Sequence, residues 1–400
     1  MKKFFAILLV VCMVFALAAC GKTETPSTSN PPAPSQAPPG NSPAQGGGQT
    51  GGGQDISEPV RAGGSAGYIT DDVDHFARAP YNFIYAYYDD SPLVDDTFRS
   101  FQMLESVYNF KVTRISGDES PETYMQNIEV LIDRGDVDGF FIDTDPQFQN
   151  RLLAVLNESG IPYMNMYTAF FDANGACVTP TVGLYQWQSG YDCMKWLTDR
   201  YMDYWGDVDT STIGLLNIDF SVVPDLVERT VGIEAAFREA FPGNENVFVV
   251  DGLTGGTVST EVGFDLTTQT VTANSHVQYW LVGSCLENYA QGAARAAEAL
   301  HREHEFLITD VGSPILVSEW DSGYDGPWVT CYAIAQLAYV APATLGLIAM
   351  ADGRATKETL WENERAPGDV CTIWIAESAM VTRDTYREYL ASVDGMWLGQ

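Results

Sequence analysis

The sequence predicts an α/β fold with two lobes, each built on a parallel β-sheet. Short apolar runs alternate along residues 80–400 with longer segments in which apolar residues recur every three or four positions. The first pattern is typical of buried strands and the second of amphipathic helices. Strands that alternate with helices form parallel sheets covered on both faces. The length of this region suits two lobes better than one.

The elements are predicted in two consecutive series. In the first series the strands are predicted at residues 83–88, 110–113, 137–142 and 163–166, with helices over 94–108, 124–132 and 147–159. In the second series the strands are predicted at residues 212–217, 247–250 and 279–283, with helices over 224–240, 257–273 and 289–301. Each series is therefore expected to form one lobe.

The N-terminus predicts a secreted lipoprotein. Lys2 and Lys3 precede an apolar run over residues 4–19, which is shorter than a typical membrane-spanning helix and is followed by small residues. The segment Leu17-Ala18-Ala19-Cys20 matches the bacterial lipobox. Residues 1–19 are therefore predicted to be a signal peptide, and Cys20 the lipidation site. An ordinary secretory signal with an incidental cysteine is the alternative.

Residues 20–79 are predicted to be a flexible linker. As far as about residue 56 they contain little besides Pro, Ser, Thr, Gln, Gly, Ala and Asn. Such a segment has too little apolar area to offset the entropy lost on ordering. With a lipid on Cys20, it would hold the folded lobes at the extracytoplasmic face of the cell membrane.

Composition excludes several classes of function. The net charge is −32, from 53 acidic and 21 basic residues, which argues against nucleic acid as a partner and favours a neutral or cationic ligand. The sequence has no P-loop and no dinucleotide fingerprint, so we expect neither a cofactor nor an enzyme. His301 and His304 stand beside acidic residues, but a solvated helix end is favoured over a metal site. Catalytic and metal-binding residues are therefore not expected.

Five cysteines remain after Cys12, in the signal peptide, and Cys20 are set aside. They are widely spaced and contain no C-x-x-C pair, which favours buried free thiols over a disulfide framework or a zinc site. These cysteines are Cys177, Cys193, Cys285, Cys331 and Cys371.

Several segments resemble, in order and spacing, the sugar-type periplasmic binding proteins. Asp118 and Gln126 precede VDGFFID at residues 137–143, and NESGIPYMN at 157–165 is similar to the "aaGIPvv" segment of that family. Further matches are Arg229-Thr230-Val231-Gly232 with Ala235 and Ala236, Glu287 to Ala293 with Ala297 and Leu300, Asp321 before Ser322-Gly323, and Gln336. The resemblance implies the type I fold, in which two Rossmann-like lobes are joined by a three-segment hinge and enclose a ligand.

The resemblance also implies lobe boundaries. Crossings between the lobes are expected near residues 180–184, 332–336 and 367–372. The N-terminal lobe would then consist of residues 80–182 plus 336–368. The C-terminal lobe would consist of residues 183–335 plus 369–400.

A sugar is recognised by carboxylates, amides, a guanidinium and aromatic faces, and the chain has such groups at predicted strand ends. The expected ligand-binding residues are Tyr88, Asp89, Asp90, Ser91, Asp143, Tyr167, Gln186, Trp187, Asp219, Arg229, Glu287, Asp321 and Gln336. The family motif favours Arg229 and Asp321 most strongly. The alternative for any one aspartate is a solvated loop residue or a helix N-cap.

The resemblance implies a solute-binding lipoprotein that captures a small polar ligand, above all a sugar, and delivers it to an ABC permease. Tyr167 and Thr168 occupy positions that are Asp and Arg in ribose-type members, and Leu286 occupies the position of a common Asn. A nucleoside-like or cationic ligand is therefore an alternative. A receptor of the same fold that docks on a sensor kinase or chemoreceptor, and a surface enzyme, are two further alternatives.

Overall fold

The two predicted series of strands and helices form two separate parallel sheets. The structure is a computed structural model that describes residues 73–398, with the exception of 145, 256 and 257. The predicted signal peptide, Cys20 and the linker before residue 73 lie outside the described residues. The predicted α/β fold class is confirmed.

The first sheet has six parallel strands in the order β11-β5-β4-β3-β1-β2. Its strands are β1 (Tyr81–Tyr87), β2 (Phe110–Ser116), β3 (Gly139–Asp143), β4 (Tyr163–Met166), β5 (Thr181–Gly183) and β11 (Ile373–Ile375). Four helices belong to this lobe, namely α1 (Pro92–Tyr108), α2 (Pro121–Arg134), α3 (Gln149–Ser159) and α9 (Gln336–Ala351). Because helices cover the sheet, the central residues of β1 and β3 are almost all buried.

The helices of the first lobe begin and end at residues that the local sequence dictates. Ser91 and Ser120 are the N-caps of α1 and α2, and each accepts a hydrogen bond from the backbone three residues ahead. A proline follows each cap, at the position where a missing N–H costs nothing. Asn109 and Gly135 end the two helices in the left-handed conformation.

The second sheet has four parallel strands in the order β7-β6-β8-β9. Its strands are β6 (Ile213–Asp219), β7 (Val247–Asp251), β8 (Tyr279–Ser284) and β9 (Phe306–Asp310). The helices of this lobe are α4 (Gln186–Trp205), α5 (Pro224–Ala240), α6 (Thr260–Ala273), α7 (Glu287–Ala299) and α8 (Pro314–Asp321). An antiparallel pair, β10 (Thr330–Ile334) and β12 (Ser378–Thr382), and the terminal helix α10 (Tyr386–Leu398) complete the described chain.

The chain passes between the lobes three times. It leaves the first sheet after β5, returns between β10 and α9, and leaves again between β11 and β12. The third crossing was expected at residues 367–372, and this position is too early. Strand β11 still pairs in parallel with β5, and Cys371 packs against Cys177 of the first lobe. The change of lobe therefore follows Ile375, and residues 369–375 belong with the first sheet.

Among the described residues, all five cysteines are buried and free. The same part of the chain contains no cluster of three or more His, Cys, Asp or Glu side chains placed to hold a metal ion. None of the described helices has both the length and the apolar character needed to cross a membrane.

Candidate functional site

The carboxyl ends of both sheets meet where the three connections cross, and this cleft is the candidate site. Parallel strands place their carboxyl ends at one edge of a sheet, where ligands bind in α/β folds. Here the two edges face each other. Thr168, two residues after β4, lies close enough to Asp225 in the first turn of α5 to lower the pKa of its carboxyl. Asp96 of α1 lies close enough to Glu287 of α7 to repel its carboxylate.

A polar network lines the first lobe's side of the cleft. The Tyr85 hydroxyl donates to Asp143 Oδ2 at 2.7 Å, and the Tyr167 hydroxyl donates to Gln336 Oε1 at 2.9 Å. Thr97 is fully buried and lies in hydrogen-bonding contact with both Tyr167 and Gln336. The residues involved lie on β1, β3 and α1 and directly after β4. The last member is Gln336, at which the chain re-enters the first lobe. Asp143, Tyr167 and Gln336 are thus brought together, as the sequence predicted.

Asp143 carries an unusual protonation equilibrium. Burial favours the neutral acid and raises the pKa of Asp143 to about 7, although the hydrogen bond from Tyr85 opposes this shift. The nearby carboxylate of Asp89 adds repulsion. Asp89 has an exposed surface, but partial desolvation raises its pKa too, and the neighbouring carboxylates of Glu119 and Asp90 add to the shift. The carboxyl groups of Asp143 and Asp89 are therefore poorly solvated, which favours their neutral, protonated forms.

Arg229 is held on the second lobe's side of the cleft. Its Nε donates to Gln186 Oε1 at 2.7 Å, and its Nη1 donates to the carbonyl of Cys285 at 2.9 Å. The backbones of α4 and α5 touch at Gly190 and Gly232, so the two helices pack closely against each other there. This close packing places the Arg229 side chain between Gln186 and the end of β8. Gln186 and Arg229, both expected to bind ligand, are thus hydrogen-bonded to each other.

Glu287 and Asp310 form a second buried acidic pair. Glu287 Oε1 accepts from the backbone N–H groups of Ile315 at 2.9 Å and Leu316 at 3.3 Å, and so caps α8. Burial raises the pKa of Glu287 to about 7, and the nearby Asp96 adds to the shift. Asp310 ends β9 and is fully buried. Burial and the neighbouring Glu287 hold the pKa of Asp310 well above its usual range.

Trp328 supplies a hydrogen bond to Asp310. Its Nε1 donates to Oδ1 at 2.8 Å, whereas Oδ2 has no partner among the described residues. Replacing Trp328 with Phe is expected to lower the free energy of unfolding by about 2 kcal/mol beyond the effect of lost volume, because a buried polar group loses its partner. Urea unfolding measures this change. The matched control is Trp361→Phe, since that buried indole N–H has no partner to lose. An equal cost for both variants would contradict the prediction.

Four other expected residues follow β1, and they have different roles. The Tyr88 hydroxyl donates to the Glu119 carbonyl at 2.8 Å, and its ring packs against Phe148. Asp89 and Asp90 are exposed at the rim of the cleft. Ser91 is engaged as the N-cap of α1, so its hydroxyl is already satisfied within the fold. The alternative role of helix cap therefore applies to Ser91.

Two further expected residues lie in the second lobe. Asp219 ends β6 and accepts from the Thr230 hydroxyl at 2.8 Å. Trp187 has 38 % of its surface exposed and stacks on Tyr191, with ring centroids 5.0 Å apart. Trp187 therefore presents an aromatic face beside Gln186, in the first turn of α4.

Asp321 was expected to contact ligand, and the structure corrects this. Asp321 is the last residue of α8, and a helix of eight residues places it about 12 Å from the cleft end of that helix. Its carboxylate is exposed and accepts from Tyr386 at 2.5 Å and Arg387 at 2.6 Å, both on α10. The segment that resembles the family's turn is the end of a helix in this chain. The aspartate that ends a strand in this region is Asp310.

Sequence reasoning missed four residues of the cleft. Asp310 follows the apolar run 306–308, and this run was a usable signal for a strand that ends in an acid. Asp96, Thr97 and Asp225 lie within the first two turns of helices that follow strands β1 and β6. Their position near strand ends was visible, but their contacts depend on the other lobe.

No family model matches the sequence, and no curated protein sequence matches it. Solved structures match it in fold. A periplasmic solute-binding protein of an ABC transporter from Actinobacillus succinogenes, with bound D-allose, is 15 % identical, with a TM-score of 0.61, over 78 % of this chain and 100 % of that one. A solute-binding protein from Bacillus halodurans, with bound myo-inositol, is 15 % identical, with a TM-score of 0.59, over 78 % and 97 % of the chains.

A third structure is the 5-methylthioribose transporter solute-binding protein from Thermotoga lettingae. It is 14 % identical, with a TM-score of 0.60, over 80 % of this chain and 94 % of that one. The match in each case takes in nearly the whole of the other protein, and therefore both lobes. The chain thus has the two-lobed type I fold of the periplasmic solute-binding proteins.

Proposed function

We propose that this chain is an extracytoplasmic solute-binding lipoprotein that captures a small polar ligand, of the sugar class, between its lobes and delivers it to an ABC permease. The observation that carries the proposal is the convergence of polar side chains from both sheets at the hinge. Asp143, Tyr167 and Gln336 come from one lobe and Arg229 and Glu287 from the other. A ligand that touches both sets favours the closed arrangement of the lobes, which is how such a receptor signals occupancy.

The solved structures of similar fold support the ligand class. Their names include bound D-allose, bound myo-inositol and 5-methylthioribose, all small polyhydroxylated molecules. We extend this chemistry to the present cleft because its hydroxyl, amide and carboxyl groups pair with the hydroxyls of such ligands. The lipobox at Cys20 supports an anchor on the extracytoplasmic face of the membrane, close to a permease.

A ligand screen tests the proposal. Monosaccharides, cyclitols, nucleosides, polyamines and amino acids are added to the full-length chain, and its melting temperature is measured. A ligand that binds only the folded state raises that temperature. We expect a shift from polyhydroxylated compounds. The proposal fails if none of them changes the melting temperature while a compound of another class does.

The variant Arg229→Gln tests whether Arg229 belongs to the binding site. It is expected to weaken the best ligand roughly tenfold or more, because the loss of a charged hydrogen-bond donor at the cleft costs about 1.5–3 kcal/mol. Isothermal titration calorimetry measures the affinity. Arg238→Gln is the matched control, since Arg238 lies on the same helix, is half exposed and pairs with Glu234. If both variants bind like the parent chain, Arg229 does not belong to the site.

A further inference from the structure

The carboxyl groups of the cleft greatly outnumber its cations. Five acids that take part in the cleft have no Lys, Arg or His nitrogen within 4.0 Å among the described residues. They are Asp89, Asp143, Asp225, Glu287 and Asp310. A sugar site normally balances such acceptors with donors, because each hydroxyl of the ligand must also accept hydrogen bonds. Here the acceptors are in large excess.

Arg229 is the cation that approaches these acids, and two of its three nitrogens already donate within the protein. Its Nε and Nη1 donate to Gln186 and to the Cys285 carbonyl, with a longer contact to the Val311 carbonyl at 3.5 Å. Arg114, at the outer rim, pairs with Asp95 and stacks over the rings of Phe98 and Tyr87. Neither guanidinium forms an ion pair with the acids of the cleft. Arg229 lowers the pKa of Asp225, Glu287 and Asp310 from a distance, but none of these acids has an ion-pair partner within 4.0 Å among the described residues.

The acids on the first lobe's side surround Asp143. Asp89 repels it from the segment after β1, and the hydroxyl of Tyr85 on β1 donates to it. Tyr124 on α2 and Tyr167, directly after β4, also lie near Asp143; burial raises the pKa of both phenols, and Asp143 adds to the shift. All of these neighbours are neutral or acidic. A cation reaching Asp143 would meet attraction from every charged group around it.

The second lobe repeats the pattern around Glu287. Its neighbours are Asp96 of α1, Asp310 of β9 and the buried Cys331 thiol of β10, with Arg229 of α5 on one side. Asp225, at the start of α5, also lies near Thr168 of the first lobe. When the lobes close, acidic groups of one lobe therefore face acidic groups of the other. Without a cation the acids in the cleft favour their neutral, protonated forms, whereas a positively charged ligand would stabilise the carboxylates.

Resting on the proposed function, we propose that the ligand of this cleft is a polyhydroxylated compound with a basic nitrogen, of the amino-sugar or aminocyclitol class. Its ammonium group would form charge-assisted hydrogen bonds with the acids that face each other across the cleft. Its hydroxyls would pair with the uncharged groups of the hinge, Tyr167 and Gln336. The exposed face of Trp187 offers a surface for the apolar side of the ring.

Matched sets of three probes test the proposal with the full-length chain. One set is D-glucosamine, D-glucose and N-acetyl-D-glucosamine, and another is the corresponding galactose series. A third is an inosamine, myo-inositol and an N-acetylinosamine. Within a set the three compounds differ at one position, which carries an amine, a hydroxyl or an uncharged amide. Isothermal titration calorimetry at pH 7 is expected to show the amine binding at least tenfold more tightly than both neutral members in one set or more.

Proton release provides a second readout. A bound cation lowers the pKa of a neighbouring carboxyl, so amine binding at pH 7 should release protons from Asp143 and Glu287. Titrations in two buffers with different ionisation enthalpies measure this release. The advantage of the amine should shrink at pH 5, where both acids are protonated, and in Asp143→Asn. The control Asp136→Asn removes an exposed carboxylate near the opposite edge of the sheet and should preserve the advantage.

The outcomes separate the two proposals. Equal or tighter binding of the hydroxyl or amide member overturns the inference and leaves the proposed receptor function intact. If a neutral polyhydroxylated compound from outside the sets binds and none of the amines binds, the inference alone is likewise overturned. If no polyhydroxylated compound of any kind binds, the proposed function fails and the inference fails with it. If Asp143→Asn proves unstable, Asp89→Asn at the exposed rim replaces it, with the same expected loss of amine preference.

Discussion

Substitution of Gly190 with alanine is expected to lower the free energy of unfolding by about 3 kcal/mol, the upper part of the range for overpacked cores. A Cβ at this position would lie 2.0 Å from the Arg229 carbonyl oxygen and 2.7 Å from its carbonyl carbon. Both atoms belong to the backbone of α5, so no side-chain rotation can relieve the clash. Helices α4 and α5 would have to move apart.

The gain in helix propensity, which opposes this loss of stability, is smaller. Alanine in a helix interior is favoured over glycine by about 0.5–1 kcal/mol, which the clash exceeds. The same argument applies from the other side, because a Cβ at Gly232 would lie 2.0 Å from the Trp187 carbonyl oxygen. Separation of the helices would also draw Arg229 away from Gln186. Gly190→Ala is therefore expected to weaken ligand binding as well.

Urea unfolding monitored by circular dichroism measures the loss of stability in Gly190→Ala. Val231→Ala serves as the control, because Val231 neighbours Gly232 on α5 but has 49 % of its surface exposed. The control should change the free energy of unfolding by less than about 0.5 kcal/mol. A Gly190→Ala variant as stable as the parent chain would show that the two helices do not pack backbone against backbone.

The variant Asp143→Asn is expected to stabilise the ligand-free protein at pH 8 and to change it little at pH 4. In the parent chain, burial raises the pKa of Asp143 to about 7 from an ordinary value of 3.8. Between these two values the folded state keeps a proton that the unfolded state has lost. Stability therefore falls as the pH rises from about 4 to 7, and the full cost remains above pH 7.

The size of this effect follows from the shift. Each pKa unit corresponds to about 1.4 kcal/mol, so the cost is of the order of a few kcal/mol at pH 8. Asparagine keeps an oxygen that accepts from Tyr85 and carries no charge, so it avoids the cost. Melting temperatures of the two chains at pH 4, 6 and 8 should diverge as the pH rises.

Asp136→Asn is the control for this series. The Asp136 carboxylate is exposed, and the hydrogen bond from Arg134 lowers its pKa, so its loss should not stabilise the chain at any pH. A parent chain that gains stability from pH 4 to pH 7 relative to Asp143→Asn would mean that the carboxylate is favoured in the folded state. The stabilised variant should also lose affinity for its ligand, which is the usual compromise at a binding site.

Local features of the fold could be predicted from the sequence because they depend on neighbours along the chain. The helix at Pro224–Ala240 and the strand at Tyr163–Met166 have the bounds that apolar periodicity predicts. Two of the first lobe's four helices, α1 and α2, begin at Ser-Pro pairs, which are strong local signals for a helix start. Asp143 was predicted to bind ligand because it directly ends an apolar strand, and the structure places it at the end of β3.

Predictions that depended on matching a short motif were less secure. Asp321 fits the family turn in sequence but lies at a helix end, since the strand that the motif requires ended eleven residues earlier at Asp310. The third crossing was placed too early because the short strand Ile373–Ile375 has no helix after it to complete a recognisable unit. Both errors concern the region after residue 306, where the regular alternation of strand and helix breaks down.

By itself the sequence determined the fold class, most of the strands and helices, and the acidic character of the chain. The tertiary structure alone decided which polar residues meet. Tyr167 and Gln336 are hydrogen-bonded although 169 positions separate them, and Asp96 faces Glu287 from the other lobe. Such contacts are set by strand order and by three crossings between lobes, and neither leaves a periodic pattern in the chain. The same geometry buries Asp143 and Glu287 away from cations, which the net charge alone could not reveal.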